Sequence, residues 1–252
     1  CATYFCGCTC TDIVLLLLAI PFVVVVAPVG LIMAALAPGA AILYFSYRYY
    51  REYVTVGQMV VCCIEIILWM VPLLIWDLIW VLAISPEMRQ KGLCSICVLA
   101  YAIQSYFFAG FCEELIKYFT INRLQDSVMT IDWRSFVVYG VCAGCGFAMA
   151  ENILYTLASG YGTAIVRAFS AVPFHCTTGC ILGIGIAKRR HLGQDVPWWK
   201  AMLIPWLLHG TYDFILMVGE ASGSDVGILG VIGIIFIIIG GLCYARHEAM
   251  QL

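Results

Sequence analysis

Along most of the chain, apolar residues run on without the alternation of a surface strand or the one-sided stripe of a soluble helix, and polar residues collect in short breaks between the runs. Long runs apolar on every side belong to helices surrounded by lipid. At about 20 residues per crossing and 1.5 Å per residue, the runs divide into roughly eight spans. Residues 11–47 are too many for one straight helix, so two helices are expected there, broken near Pro28 and Gly30. The later spans read as about 54–83, 96–121, 134–157, 164–187, 198–218 and 226–245. The fold class is therefore all-α, a polytopic transmembrane helical bundle, and residues 1–252 are expected to form a single integral membrane domain.

Composition agrees with the pattern. Of 252 residues, 63% are hydrophobic and 11% charged, too little polar surface to cover a globule in water. Net charge is −2 and there is no basic block, which argues against a nucleic-acid partner. Nine basic residues (Arg48, Arg51, Arg123, Arg134, Lys188, Arg189, Arg190, Lys200, Arg246) fall in loops on one side, against Arg89 and Lys91 on the other. The first side should be cytoplasmic, with both termini inside. Trp133, Trp198 and Trp199 lie where interfacial anchors belong.

The chain begins at Cys1 without a methionine, which reads as a truncated or processed start, and the apolar run after it is too long for a cleaved signal peptide. Cysteines near that start are candidates for lipidation. The CxxC pairs Cys94/Cys97 and Cys142/Cys145 lie in or beside spans, do not repeat as a zinc ribbon would, and read as small buried hydrophobes.

The chemistry lies in ten ionisable side chains placed inside the spans: Glu65, Asp77, Glu113, Glu114, Lys117, Glu151, Arg167, His175, His209 and Asp213. Ten such groups facing lipid would cost on the order of 20–30 kcal/mol, more than a fold's usual net stability of about 5–15 kcal/mol. They must face inward, pair, or line a wet cavity. Lys117 is i,i+4 from Glu113 and i,i+3 from Glu114, so it can reach either carboxylate, and adjacent glutamates point about 100° apart. Glu151 and Asn152 sit among small and apolar residues, with Gly144 and Gly146 nearby to admit another helix. His175 and Gly179 share a helix face, and His209 and Asp213 stand at i,i+4, a spacing that can hold an imidazole in one tautomer. Each cluster alone is equally explained as interhelical glue or a structural ion pair. Four on successive helices point to one site, with the two histidines near mid-membrane. Glu151, about 27 Å from Trp133 along its helix, is expected above the rest.

These clusters resemble, in order and spacing, the motifs of the PrsW family of intramembrane proteases, within the larger group that includes CAAX-processing and bacteriocin-processing enzymes. The family's EExxK is matched by Glu113-Glu114-Leu-Ile-Lys117, its FxxxEN by Phe147 to Asn152, its HxxxG by His175 to Gly179, and its last histidine and aspartate by His209 and Asp213. The resemblance covers about residues 105–217. Where the CAAX branch carries arginine, one position after the lysine, this chain has Tyr118, which favours the PrsW branch.

The resemblance implies an intramembrane endopeptidase acting on membrane-anchored substrate proteins such as anti-sigma factors, in regulated proteolysis. It also implies a lipid-bilayer location, in a plasma membrane if bacterial or an endomembrane if eukaryotic. Its site residues would be Glu113, Glu114, Lys117, Glu151, Asn152, His175, His209 and Asp213. One of the two glutamates would act as general base on water while the other is oriented by Lys117. The histidines would donate to the oxyanion or, with Glu114, hold Zn2+, and a metal-free glutamate mechanism stands beside that reading. Glu65 and Asp77 fall outside the motifs and read as packing or cavity residues. A non-catalytic scaffold resembling the Aph-1 component of gamma-secretase is the alternative, disfavoured because both glutamates are present. An ion-coupled carrier is disfavoured because no inverted repeat is visible.

Overall fold

The computed structural model describes residues 27–91, 93–124, 132–222 and 224–252; the predicted first span and the cysteines at positions 1, 6, 8 and 10 lie outside them. The regular elements among the described residues are all helices: α1 (Ala27–Tyr50), α2 (Val56–Ile79), π1 (Trp80–Ile84), α3 (Ser85–Lys91), α4 (Ser95–Ile103), π2 (Gln104–Glu113), α5 (Glu114–Leu124), α6 (Trp133–Ser159), α7 (Tyr161–Phe169), α8 (Ala171–Arg190), α9 (Trp198–Ser222) and α10 (Ser224–Ala249). They compose seven helices long and apolar enough to cross a membrane. The eighth expected span is the one that precedes Pro28, and it lies outside the described residues.

Local chemistry sets several boundaries. Thr55 caps α2 with a capping box to Gln58, and Asp132 caps α6 by accepting from the Arg134 N–H. Gly160, at φ +83°, makes the tight turn between α6 and α7 that an L side chain would strain. The expected single span 164–187 is bent at Ser170, between α7 and α8, because Pro173 has no N–H to offer the carbonyl four residues back. Cys94 and Cys97 differ from expectation: they form a disulfide at the start of α4. Cys142 and Cys145 are free and buried, as expected of small hydrophobes.

The centre of the bundle is the α6–α8 pair, which meets through glycines. A Cβ on Gly144 would stand 2.1 Å from the carbonyl oxygen of His175, and one on Gly140 would stand 2.1 Å from that of Gly179. Only backbones without side chains approach so closely, and in lipid this packing, not water exclusion, holds helices together. Gly146 instead faces Cys63 and Ile66 of α2. Large apolar residues such as Leu68, Trp69, Ile165 and Phe236 are exposed on the perimeter, the surface a bilayer covers.

π2 bears directly on the site. Its wider turn puts Gln104, Ser105, Ala109, Gly110 and Glu113 on the buried side, and α-helical winding resumes at Glu114. Gln104 Nε2 donates to Asp77 Oδ1 at 3.2 Å and its Oε1 accepts from Trp76 at 2.7 Å, tying π2 to α2. Glu65 pairs with Arg123 at 3.5 Å near the bundle surface. Asp77 and Glu65 thus hold helices together, as expected from their place outside the motifs.

Candidate active site

The other eight intramembrane ionisable groups meet between π2, α5, α6, α7, α8 and α9. Two layers can be distinguished, with the imidazoles of His175 and His209, 5.0 Å apart, between them.

The inner layer is closed. Lys117 Nζ donates to Glu114 Oε1 at 2.6 Å and faces His175 Nδ1 at 3.0 Å. The same Glu114 oxygen accepts from Thr178 Oγ1 at 3.0 Å and lies 2.6 Å from His209 Nδ1. The side chains of Glu114 and Lys117 are both 0% exposed. An ammonium ion is only a donor, so His175 Nδ1 accepts from it, and the ring proton lies on Nε2. A carboxylate is only an acceptor, so His209 Nδ1 carries a proton and donates to Glu114. The inner layer therefore dictates the orientation and tautomer of both rings.

The outer layer borders a cavity of about 380 Å³. His175 Nε2 lies 3.2 Å from Glu151 Oε2, and that same oxygen accepts from Arg167 Nη2 at 2.6 Å. Arg167 Nε donates to Asn152 Oδ1 at 2.5 Å, and the guanidinium lies 4.2 Å from the Tyr155 ring centre. His209 Nε2 is 3.3 Å from Asp213 Oδ2 and 3.4 Å from Glu113 Oε2. The approach to Glu113 falls outside hydrogen-bond geometry, and Glu113 Oε2 is buried without a hydrogen-bond partner. An orphaned carboxylate oxygen beside two imidazoles is costly to keep unless it serves a further group. The cavity extends from the histidines past Tyr155 and Arg167 to Ser85, Glu220 and Ala221, near the helix ends opposite the arginine-rich loops.

All eight sequence-level candidates are thus gathered within one cluster. Glu151, expected above the others, reaches His175 directly, with Arg167 bracing it from α7. Asn152 touches no histidine; it supports Arg167. The group that could hold a metal ion is also not the expected one. Donor atoms of Glu113, His175 and His209 all lie within 4.8 Å of one another, whereas Glu114 is committed to Lys117, Thr178 and His209 Nδ1. Two residues of the network were not among the candidates. Arg167 was visible as a charge within a span, and Thr178 sits inside the His175–Gly179 motif.

Two histidines and a carboxylate form the donor set of a hydrolytic zinc centre, and the buried unpartnered Glu113 oxygen fits such a cation. The His209 Nδ1–H to Glu114 bond is the support that a ligating histidine usually has on its far nitrogen. Ligation by His175 Nε2 requires the ring proton to move to Nδ1, so Lys117 would have to rest on Glu114 and Thr178 alone.

A many-spanning helical membrane protein whose histidines, with Glu151 and Asp213, open onto a polar cavity has the groups that a hydrolase working inside the bilayer needs. The chain belongs to the PrsW family of intramembrane metalloproteases: the PrsW family intramembrane metalloprotease profile matches residues 98–240. The sequence is 30% identical over 202 residues to Protease PrsW of Geobacillus kaustophilus (strain HTA426), covering 79% of this chain and 85% of that protein. It is 36% identical over 116 residues to Protease PrsW of Bacillus subtilis (strain 168), covering 44% and 53%. Similarity to the Clostridioides difficile (strain 630) protein of the same name is 32% over 123 residues, covering 45% and 52%. No solved structure matches the chain. The protein is a multi-pass membrane hydrolase with protein substrates.

Proposed function

We propose that the protein cuts single-pass, membrane-anchored proteins by water attack at the Glu113–His175–His209 cluster, in a regulatory proteolytic step. The observation that carries this reading is the buried, unpartnered Glu113 oxygen, 3.4 Å from His209 Nε2 and grouped with His175. Peptide hydrolysis needs a base for water, a donor for the developing oxyanion and a proton for the leaving amine.

Glu113 Oε2 accepts the proton of the water as its oxygen bonds to the carbonyl carbon, and returns it to the leaving amine as the peptide C–N bond breaks. Glu114 is less suited to that part: its Oε1 is engaged by Lys117, Thr178 and His209, and its Oε2, also without a hydrogen-bond partner, belongs to a side chain with no exposed surface and is not grouped with the two histidines as Glu113 is. His175 Nε2–H, 3.2 Å from Glu151, stabilises the oxyanion, while Asp213 Oδ2 faces His209 Nε2 at 3.3 Å on the cavity side. In the alternative with a metal, Glu113, His175 and His209 would instead be the ligands of a divalent cation, with zinc as the natural choice for this donor set. When bound, it would supply Lewis-acid polarisation and a more acidic water. The motif-bearing core, about 105–217, acts with the remaining spans as one domain. The excess of basic residues in the loops of one side supports a reading with both termini in the cytoplasm; on that reading the cavity draws water from the opposite face.

The test is cleavage of a single-pass substrate in proteoliposomes by wild type, Glu113→Gln, Glu114→Gln and His175→Ala. Cleavage unchanged in all three variants removes the proposal. Loss of activity on chelation, with recovery on adding zinc, establishes the metal.

A further inference from the structure

A second cavity, of about 460 Å³, lies away from the histidines, between α5 and the junction of α8 with α9. Its apolar wall is Phe111, Leu115 and Phe119; its mouth is Arg189, Arg190 and Trp198. The deep end is closed by aromatic rings. Phe111 stacks on Phe107 at 6.0 Å and meets Trp206 edge-on at 5.4 Å.

The mouth is electrostatically one-sided: among the described lining residues there are two arginines and no carboxylate. Arg189 Nη2 donates to Asn122 Oδ1 at 2.7 Å and the guanidinium lies 5.6 Å from the Tyr118 ring centre. Those contacts fix the group at the groove's entrance while most of its five N–H donors remain uncommitted to Asn122. Arg190 beside it is exposed. The neighbouring Lys188 differs, being paired with Glu248 and Gln251.

Length supplies the second argument. Phe111 and Asn122 are eleven residues apart, about 16 Å along a helix, which equals the roughly 15 Å depth of one leaflet's hydrocarbon. The groove therefore runs from a charged mouth at the arginine-rich helix ends to about mid-bilayer, the shape of a single lipid with its headgroup at the arginines. Acyl chains gain little by leaving one apolar environment for another, so selection falls to the headgroup. Two guanidiniums at the interface favour a phosphate without a compensating amine.

We infer that this groove is a binding site for one anionic phospholipid of the leaflet at the arginine-rich helix ends. Its phosphate pairs with Arg189 and Arg190, and one acyl chain lies along Leu115, Phe119 and Phe111.

The test uses the full chain in phosphatidylcholine vesicles carrying brominated phosphatidylglycerol or, separately, brominated phosphatidylcholine, with tryptophan fluorescence as the readout. At about a fivefold enrichment per interfacial arginine, phosphatidylglycerol should be favoured at Trp198 by up to about thirtyfold per mole. The excess quenching should vanish in Trp198→Phe, which identifies the reporter. It should also vanish in Arg189→Gln/Arg190→Gln and persist in Arg189→Lys/Arg190→Lys, which keeps the charge. Equal quenching of wild type by the two lipids overturns the inference even if the glutamine variant does not fold, and so does an excess that survives the glutamine substitutions. None of these readouts depends on proteolysis.

Discussion

The two layers around the histidines contain the same kinds of group and handle them in opposite ways. In the inner layer Glu114 and Lys117 have no exposed surface, and one carboxylate oxygen takes bonds from an ammonium, a hydroxyl and an imidazole. In the outer layer Glu151, Arg167 and Asp213 keep 18%, 14% and 22% of their side chains exposed, at the wall of a cavity. Burial makes the inner layer rigid, since a charge there has no solvent to fall back on; access to water lets the outer layer exchange partners. Rings held from behind and open in front are prepared for chemistry on one face only.

Breaking the inner layer should have the largest effect. Lys117→Ala leaves the Glu114 carboxylate buried beside His209 without its cation, a loss of about 3–5 kcal/mol. We expect a lower unfolding temperature in detergent together with loss of cleavage, and an unchanged melting profile would show that the layer is not the scaffold described. Glu113→Gln comes next. Removing a positioned base should lower kcat by about 10²–10⁴-fold, with thermal stability near that of wild type. A variant that instead melts early would move Glu113 from the chemistry to the scaffold. Arg167→Gln should cost about 10–100-fold in activity, the usual effect of a group that orients another. Its effect should shrink when Glu151 is already glutamine, and a double-mutant cycle measures that coupling. The smallest effect belongs outside both layers: Glu65→Gln removes a pair with the largely exposed Arg123 and should shift stability by no more than about 0.5 kcal/mol.

The spans were legible because lipid imposes a length and a composition on every helix. The charged clusters were legible because carboxylates and histidines inside a bilayer need a reason. The division of labour between Glu113 and Glu114 was not. Adjacent helical residues diverge by about 100°, and which one takes His209 Nδ1 and which faces Nε2 is decided by how π2 and α5 pack against α8 and α9. Arg167 was equally hidden as a partner of Glu151, because the bond crosses the Gly160 turn to a different helix. The π2 stretch leaves no mark in a hydropathy pattern, since every side of it is apolar enough for an ordinary helix.

That wide-wound stretch has a consequence for how the chain tolerates editing. Excising one residue between Gln104 and Phe111 would leave a helix of nearly the same length and greasiness, yet it would swivel everything upstream by about 100° against the glutamates. Gln104 would lose its grip on Asp77, and the segment leading into Glu113 would turn a different edge to α9. A one-codon deletion there is a rotation, not a shortening.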